Sequence, residues 1–425
     1  MHIAVIGSGI AGLSTAWLLS REHRVTLYES GDHLGGHAHT VDVTVDGITA
    51  PVDTGFLVFN HRTYPRLVEL FAHLGVPTAA SDMSFSVQLE EEGVEWAGTS
   101  LATLFARPRN LFRAAFWRML RDIPRFNRMA TEHTGNGSRA DESLGDYLRR
   151  HGFSREFRDW YLLPMAGAIW SCPTGEMLDY PVASFARFCH NHGLLQLSDR
   201  PQWHTVRGGS REYVRRLAEP VQEVRLADPV VALRRLHRQV AVISAQGGVA
   251  RYDHAVVACH PDQALRLLAD ADADERRLLG AVPYQPNRAV LHTDAGVMPR
   301  DPAAWSAWNY HAAAGGPDDR PVGVSYWLNR LQPLPFRTPV IVTLNPNRPI
   351  AADRILGEYA YDHPVFDFGA VAAQGELARI QGTRRTWYCG AWTGYGFHED
   401  GLRSGLEVAR RLGVEAPWRA ARRAA

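Results

Sequence analysis

Three glycines and one acid carry the first recognisable chemistry in this chain. Gly7-Ser8-Gly9-Ile10-Ala11-Gly12 follows a short apolar run, His2 to Ile6, and precedes a helix-patterned segment, Leu13 to Ser20. A second apolar run, Val25 to Tyr28, closes on Glu29 and Ser30. Strand, glycine turn, helix, strand and acid in this order are what a dinucleotide site needs. Gly7 permits the tight turn, Gly9 lets backbone N–H groups approach a pyrophosphate, and Gly12 lets helix and strand pack closely. The helix N-terminus offers unpaired donors and partial positive charge to the phosphates. Glu29 stands where a carboxylate accepts hydrogen bonds from ribose hydroxyls.

A second group lies near the other end. Thr386 to Cys389 reads as an apolar strand ending at Gly390 and Ala391, and a glycine-rich loop follows. A helix is expected from about Gly401 and Leu402 to Leu412. His398 and Glu399, just before it, are candidates for moving protons, with His190 and His192 as further ones. The competing reading for each histidine is a loop or core residue with satisfied hydrogen bonds. Trp392, Tyr395 and Phe397 are expected to wall a pocket. The pairs His37/His39 and His190/His192 lack a third ligand at suitable spacing, so no metal site is predicted.

These residues need a large frame to position them. The chain has 425 residues, enough for two domains. Its formal net charge of +1 gives no global case for nucleic-acid binding. The cysteines Cys172, Cys189, Cys259 and Cys389 show no paired spacing, which argues against a disulfide framework and fits a reducing compartment. The chain contains no lysine, so neither a Schiff base nor a lysine general base can form. The first strand starts at the N-terminus, and no apolar run reaches the ~18–20 residues that span a bilayer. A cytoplasmic protein is expected, either soluble or held at the inner face of the membrane.

Periodicity places further elements. Val41 to Val45 alternates as a strand, and Arg62 to Leu74 reads as a helix with Leu67, Leu70, Phe71 and Leu74 on one face. Phe85 to Leu89 and Val94 to Trp96 suggest a hairpin. Between Arg107 and Arg128, seven arginines face a single acid, Asp122, while Phe112, Phe116, Met119 and Ile123 recur at helical spacing. This is a basic amphipathic helix: either one solvated face, or a contact with anionic lipid headgroups. A loop is expected at Thr134 to Ser138, then a helix from Leu144 capped by Ser143. Trp160 to Leu195 reads as helical material lining a pocket. Strands follow at Pro229 to Leu233, Val240 to Ile243 and His254 to Ala258, and further strands alternate from Tyr284 to Asn345.

The glycine motif, Glu29, the doublet Gly35-Gly36 and then Asp53-Thr54-Gly55-Phe56 resemble the flavin-containing amine oxidase and phytoene desaturase superfamily. His37 stands where that family usually has arginine, and Ala391 where an acid normally follows the glycine. Arg207-Gly208-Gly209-Ser210 resembles the family's return to its flavin domain, and Gly390 to Gly405 its closing flavin motif. The resemblance implies non-covalent FAD, adenine contact from the backbone around Val230, and a closing helix whose dipole faces the flavin's N1–C2=O edge. It implies an α/β fold in which a Rossmann-like FAD-binding domain (1–60, 200–280 and 380–415) is interleaved with a mixed α+β substrate domain. That second domain takes 61–199 and 281–379, and 416–425 forms a basic tail. Asn191 to Leu195 and Gly394 to Gly401 further resemble a bacterial group linked to modification of unsaturated fatty acids. The implied activity is hydride abstraction from a hydrophobic substrate, an unsaturated acyl chain or phospholipid, giving desaturation or isomerisation. The alternatives are oxidation of a small amine and a non-enzymatic lipid- or prenyl-binding protein on the same fold.

Overall fold

The computed structural model describes residues 1–135, 142–170, 174–196, 200–312 and 323–418. Around the first glycine turn the chain builds a five-stranded sheet in the order Glu223–Arg225, Arg24–Tyr28, His2–Ile6, His254–Val257, Thr386–Tyr388. All its pairings are parallel. Parallel strands in the middle of a sheet are covered on both faces, which is why His2–Ile6, Arg24–Tyr28 and His254–Val257 are largely continuous apolar runs, whereas the edge strand Glu223–Arg225 is not. Ile3, Ala4, Val5, Val25 and Leu27 are accordingly fully buried.

The helix Ile10–Leu19 is buried along its whole length. Its close approach to the first strand needs glycine: a Cβ on Gly12 would sit 1.9 Å from the Gly7 carbonyl oxygen. The closing helix, His398–Arg411, crosses it in direct contact. Cβ atoms on Gly401 and Gly405 would lie 2.9 Å from Ile10 Cγ2 and 2.5 Å from Ala11 O. Two helix N-termini are thus clamped side by side. The strands Val230–Arg235, Val240–Ser244 and Gly248–Tyr252 form a separate antiparallel sheet.

A seven-stranded mixed sheet runs in the order Ile355–Ala360, Arg288–His292, Ile341–Leu344, Gly323–Trp327, Trp308–Ala312, Phe85–Leu89, Val94–Ala97. The predicted hairpin is its last pair. Against it packs a helical block containing Ala114–Gly135, Leu144–Arg150 and Val182–Asn191. Phe126, Tyr147, Phe157 and Phe185 fill the middle of that block. Asp53 ties the layers together: Ser210 N and Oγ and Gln332 Nε2 donate to its buried carboxyl at 2.8–3.1 Å.

Several elements depart from the sequence reading. The basic segment is not one helix. Pro108–Phe112 is a 3₁₀ turn, Arg113 is extended (φ −95°, ψ 110°), and the long helix starts only at Ala114. The reason is local: Asn110 Nδ2 donates to Glu95 O at 3.0 Å, pinning the segment to the hairpin before a helix can begin. Phe116, Met119 and Ile123 lie on the buried face, but Phe112 is solvent-exposed. The same helix continues through Gly135, where a loop was expected. Residues 136–138 of that loop lie outside the described residues, as does 419–425 of the basic tail. The helix expected from Arg62 begins at Pro65, because Asn60 Oδ1 accepts from the amides of Arg62 and Thr63 in a turn. The closing helix starts three residues early, at His398, where Asp400 accepts from the Tyr395 and Phe397 amides. Among the described residues no helix is long and apolar enough to cross a membrane.

Candidate active site

A cavity of about 1110 Å³ opens at the glycine turn and is walled by both large sheets and the helical block. It exceeds the ~300–1,000 Å³ of a typical small-ligand site, so it can hold a dinucleotide arm and a substrate together.

At one end the lining is the phosphate cradle. Gly9 precedes the first helix with no side-chain cap, leaving the first helical N–H groups free for a ligand. A Cβ on Gly9 would meet no atom within 4 Å, so the space above it is open. Gly35 N donates to Ser8 O at 3.1 Å, and Gly36 packs against Gly9, a Cβ there lying 3.2 Å from Gly9 Cα. The Glu29 carboxylate accepts from Ser8 N at 2.9 Å and Gly31 N at 2.8 Å and still borders the cavity. Open backbone donors at one helix start and a carboxylate fixed beside them fit a dinucleotide.

Further along, Thr54, Gly55, Phe56, Gly390, Ala391, Trp392, Tyr395 and Phe397 line the middle of the cavity, beside the N-terminus of the closing helix. Residues 10–304 match the model of the flavin containing amine oxidoreductase family. The chain belongs to that family. It is a FAD-binding oxidoreductase. Solved structures share its fold along nearly the whole length, each covering 97% of this chain. Putrescine oxidase bound to putrescine matches with TM-score 0.70 at 15% identity over 99% of its own chain. The CLA-producing fatty acid isomerase from P. acnes matches with TM-score 0.68 at 16% identity over 98% of its chain. Cyclohexylamine oxidase from Brevibacterium oxydans IH-35A matches with TM-score 0.63 at 15% identity over 99% of its chain.

Within this flavoenzyme, Gly7, Ser8, Gly9, Ile10, Ala11, Glu29, Ser30, Gly35, Gly36, His37 and His398 also line the cavity. Gly12, Gly401 and Leu402 do not; they form the contacts between the first helix, its strand and the closing helix. Val230 is also outside the lining, in a strand that starts two residues after Asp228, whose amide donates to Glu29 O. Among the described residues no group of three candidate metal ligands forms. Cys389 is buried against Thr15, away from the cavity, whereas Cys259 lines it; burial pushes both thiols up to about 12.

The proton-moving candidates separate sharply. Glu399 faces away from the cavity: it accepts from the Arg66 and Leu67 amides at 3.1 and 3.0 Å and pairs with the Arg66 guanidinium. It anchors the start of the helix Pro65–Leu74 and is unsuited to the proton role expected of it. His398 lines the cavity but is stacked on Phe56 at 3.7 Å, with Nε2 hydrogen-bonded to Tyr213 at 2.9 Å. Burial drops its pKa to about 3, so it stays neutral. His190 is exposed on the surface. His192 is the better placed group. Its Nδ1 lies 3.0 Å from the Phe188 carbonyl, which can only accept, so the proton sits on Nδ1 and Nε2 keeps its lone pair. The ring lines the cavity, and burial lowers its pKa to about 4.

Sequence reading missed one wall entirely. Tyr361, Asp362 and His363 line the cavity; the Tyr361 hydroxyl lies 2.6 Å from Thr54 Oγ1, and His37 stacks on His363 and meets Tyr361 at a tilt. The available signal was the density of aromatic and histidine residues from Tyr359 to Phe366. His260 also lines the cavity, stacked on Tyr284 at 3.9 Å.

Proposed function

We propose that this oxidoreductase acts on an unsaturated acyl chain, abstracting a hydride from an allylic carbon. The observation that carries this reading is the wall of the cavity beyond Phe56. Leu57, Val58, Met83, Phe85, Trp96, Met165, Ile169, Trp308, Val342 and Leu344 make a long apolar and aromatic chamber. Asp82, which lines the cavity together with Glu29 and Asp362, is held by Arg330 at 2.9 Å and by the Ser84 amide. Desolvating a chain of methylenes in such a chamber contributes ~0.8 kcal/mol per buried CH₂.

FAD, when bound, supplies the two-electron acceptor for the hydride. The remaining tasks fall to the chain itself. Apolar walls hold the acyl chain, orient the allylic carbon and keep water out. Arg200, exposed on the cavity rim, presents a cation where a carboxylate or phosphate headgroup would emerge. His192, neutral with Nε2 free, is positioned to take the proton from the carbon next to the cation left by hydride loss. That gives desaturation. Isomerisation instead returns the hydride to the other end of the allylic cation, and no proton has to leave.

Oxidation of a small amine is the second reading, supported by the fold shared with putrescine oxidase and cyclohexylamine oxidase. Holoprotein mixed anaerobically with unsaturated fatty acids, unsaturated phospholipids and a panel of amines separates the two. Flavin bleaching or rearranged acyl products support the lipid reading; bleaching by amines alone overturns it.

A further inference from the structure

The exposed large apolar side chains are not spread evenly. Leu101 is 77% exposed, Leu111 47%, Phe112 91% and Trp117 49%, all within one short stretch of chain. They are contiguous in space. Trp117 Nε1 donates to Leu111 O at 2.8 Å, and Phe105 packs on Trp117 at 5.7 Å while its amide bonds Leu101 O. A clustered, protruding apolar edge marks an interaction surface, whereas single exposed residues do not.

This edge is held rigidly outward. Asn110, fully buried two residues before Phe112, bonds Glu95 O, and Arg107 pairs with the buried Glu95 at 2.9 Å. Arg109 donates to the Gly93 carbonyl, and Arg113 to Glu92 O at 3.1 Å. These two cations therefore meet backbone oxygens on the hairpin turn. Glu90 in that turn is taken by Arg348 and Arg300. Arg118 is paired with Glu156, and Arg125 lies 3.6 Å from the buried Asp122. Arg121 is 72% exposed and 3.7 Å from Asp122, and Arg128 is exposed on the same helix. Seven arginines and one acid between 101 and 128 give this stretch an excess of positive charge, partly offset by Glu95, Glu156 and the acidic turn Glu90 to Glu92 beside it, in a chain whose net charge is +1.

The edge also adjoins the cavity entrance. Gly98 and Thr99 are exposed and line the cavity, and Thr99 Oγ1 lies 2.7 Å from Thr103 Oγ1 in the short helix Leu101–Leu104. Protruding apolar residues ringed by arginines, beside the opening of an apolar chamber, have one matching partner. We infer that residues 101–128 dock this enzyme on an anionic phospholipid bilayer, with Leu101, Leu111, Phe112 and Trp117 entering the headgroup layer and the arginines meeting phosphates. The chamber mouth then faces the lipid, and an acyl chain can enter without crossing water. The docking itself stands on exposure and charge; only its purpose rests on the acyl-chain reading.

Sedimentation of holoprotein with phosphatidylglycerol/phosphatidylcholine vesicles tests it without any turnover. Wild-type protein should pellet with the anionic vesicles and, at least about tenfold less, with pure phosphatidylcholine. Phe112→Ser with Leu101→Ser should lose binding while melting like wild type. Arg121→Gln with Arg128→Gln should weaken binding roughly 30-fold, since each basic residue contributes about a factor of five. Rising salt should do the same. No pelleting with anionic vesicles, or equal pelleting of the Phe112/Leu101 variant, overturns the inference. So does a dimer in sedimentation velocity that Phe112→Ser dissociates, because a second copy would then be the occupant. Docking without acyl turnover would leave this surface standing and remove the substrate reading; acyl turnover without docking would do the reverse.

Discussion

Replacing Gly9 by valine isolates the phosphate cradle from the fold around it. The Gly9 backbone (φ −61°, ψ 175°) is open to any residue, and an added Cβ meets no protein atom within 4 Å. The new side chain therefore enters only the space reserved for the pyrophosphate. Forcing extra methyl groups into a filled site costs ~1–3 kcal/mol, which corresponds to FAD affinity lower by about 5- to 150-fold. Gly12→Ala is the contrasting variant, because its Cβ would strike Gly7 O at 1.9 Å and must damage the strand–helix packing itself. The assay is titration of apoprotein with FAD by flavin fluorescence, with thermal melting of each apoprotein as the control for folding. Gly9→Val should melt like wild type and bind FAD weakly; Gly12→Ala should melt lower. A Gly9→Val protein that binds FAD within twofold of wild type would refute the placement of the pyrophosphate at this turn.

Further outcomes follow from the same structure. His192→Gln should lower kcat for desaturation by about 10²–10⁴ with FAD binding unchanged; unchanged desaturation would remove His192 from the chemistry. Because burial holds its pKa at about 4, turnover should be flat through neutral pH and fall only as pH drops towards that value, a shape a pH–rate profile reads directly. Stability of the apoprotein should show the same sign on a larger scale. His192, His311 and His363 are lowered to about 4 and His398 to about 3, all below the unfolded value near 6.5. Acid protons therefore bind the unfolded chain first. Stability is complete above pH ~6.5 and is lost at roughly 1 kcal/mol per pH unit for each of these groups as pH falls towards 4. Urea melts at pH 7 and 5 check this, and equal midpoints would contradict it. Arg235→Ala should destabilise by ~1–3 kcal/mol, since it strips one charged partner from the buried Glu275 while Arg384 and Tyr388 still hold that carboxylate.

What the sequence made legible was the part of the site built by backbone. Gly7, Gly9, Gly12 and Gly35-Gly36 act through turns, close approach and free N–H groups, so residue type alone reveals them. Side-chain chemistry was harder to read. Glu399 and His398 are neighbours in sequence, yet the helix start turns Glu399 towards the Arg66 amide and leaves His398 against Phe56. Which way each points is decided by Asp400 capping the turn earlier than expected, a detail no spacing rule supplies. The wall of Tyr361 and His363 was hidden for another reason: it approaches Thr54 and His37 from far along the chain. Phe112 matches the periodicity of Phe116, Met119 and Ile123, but Asn110 and Arg113 break the helix between them, and the match becomes an exposed edge.

The most direct test of the proposed chemistry is product analysis of holoprotein incubated with an unsaturated phospholipid deuterated at its allylic methylenes. The acyl-chain reading predicts mass-spectrometric products with deuterium lost, or moved to another carbon, and with the double-bond pattern altered. Recovery of the lipid with every deuterium in place, from protein that oxidises an amine in the same buffer, would contradict it.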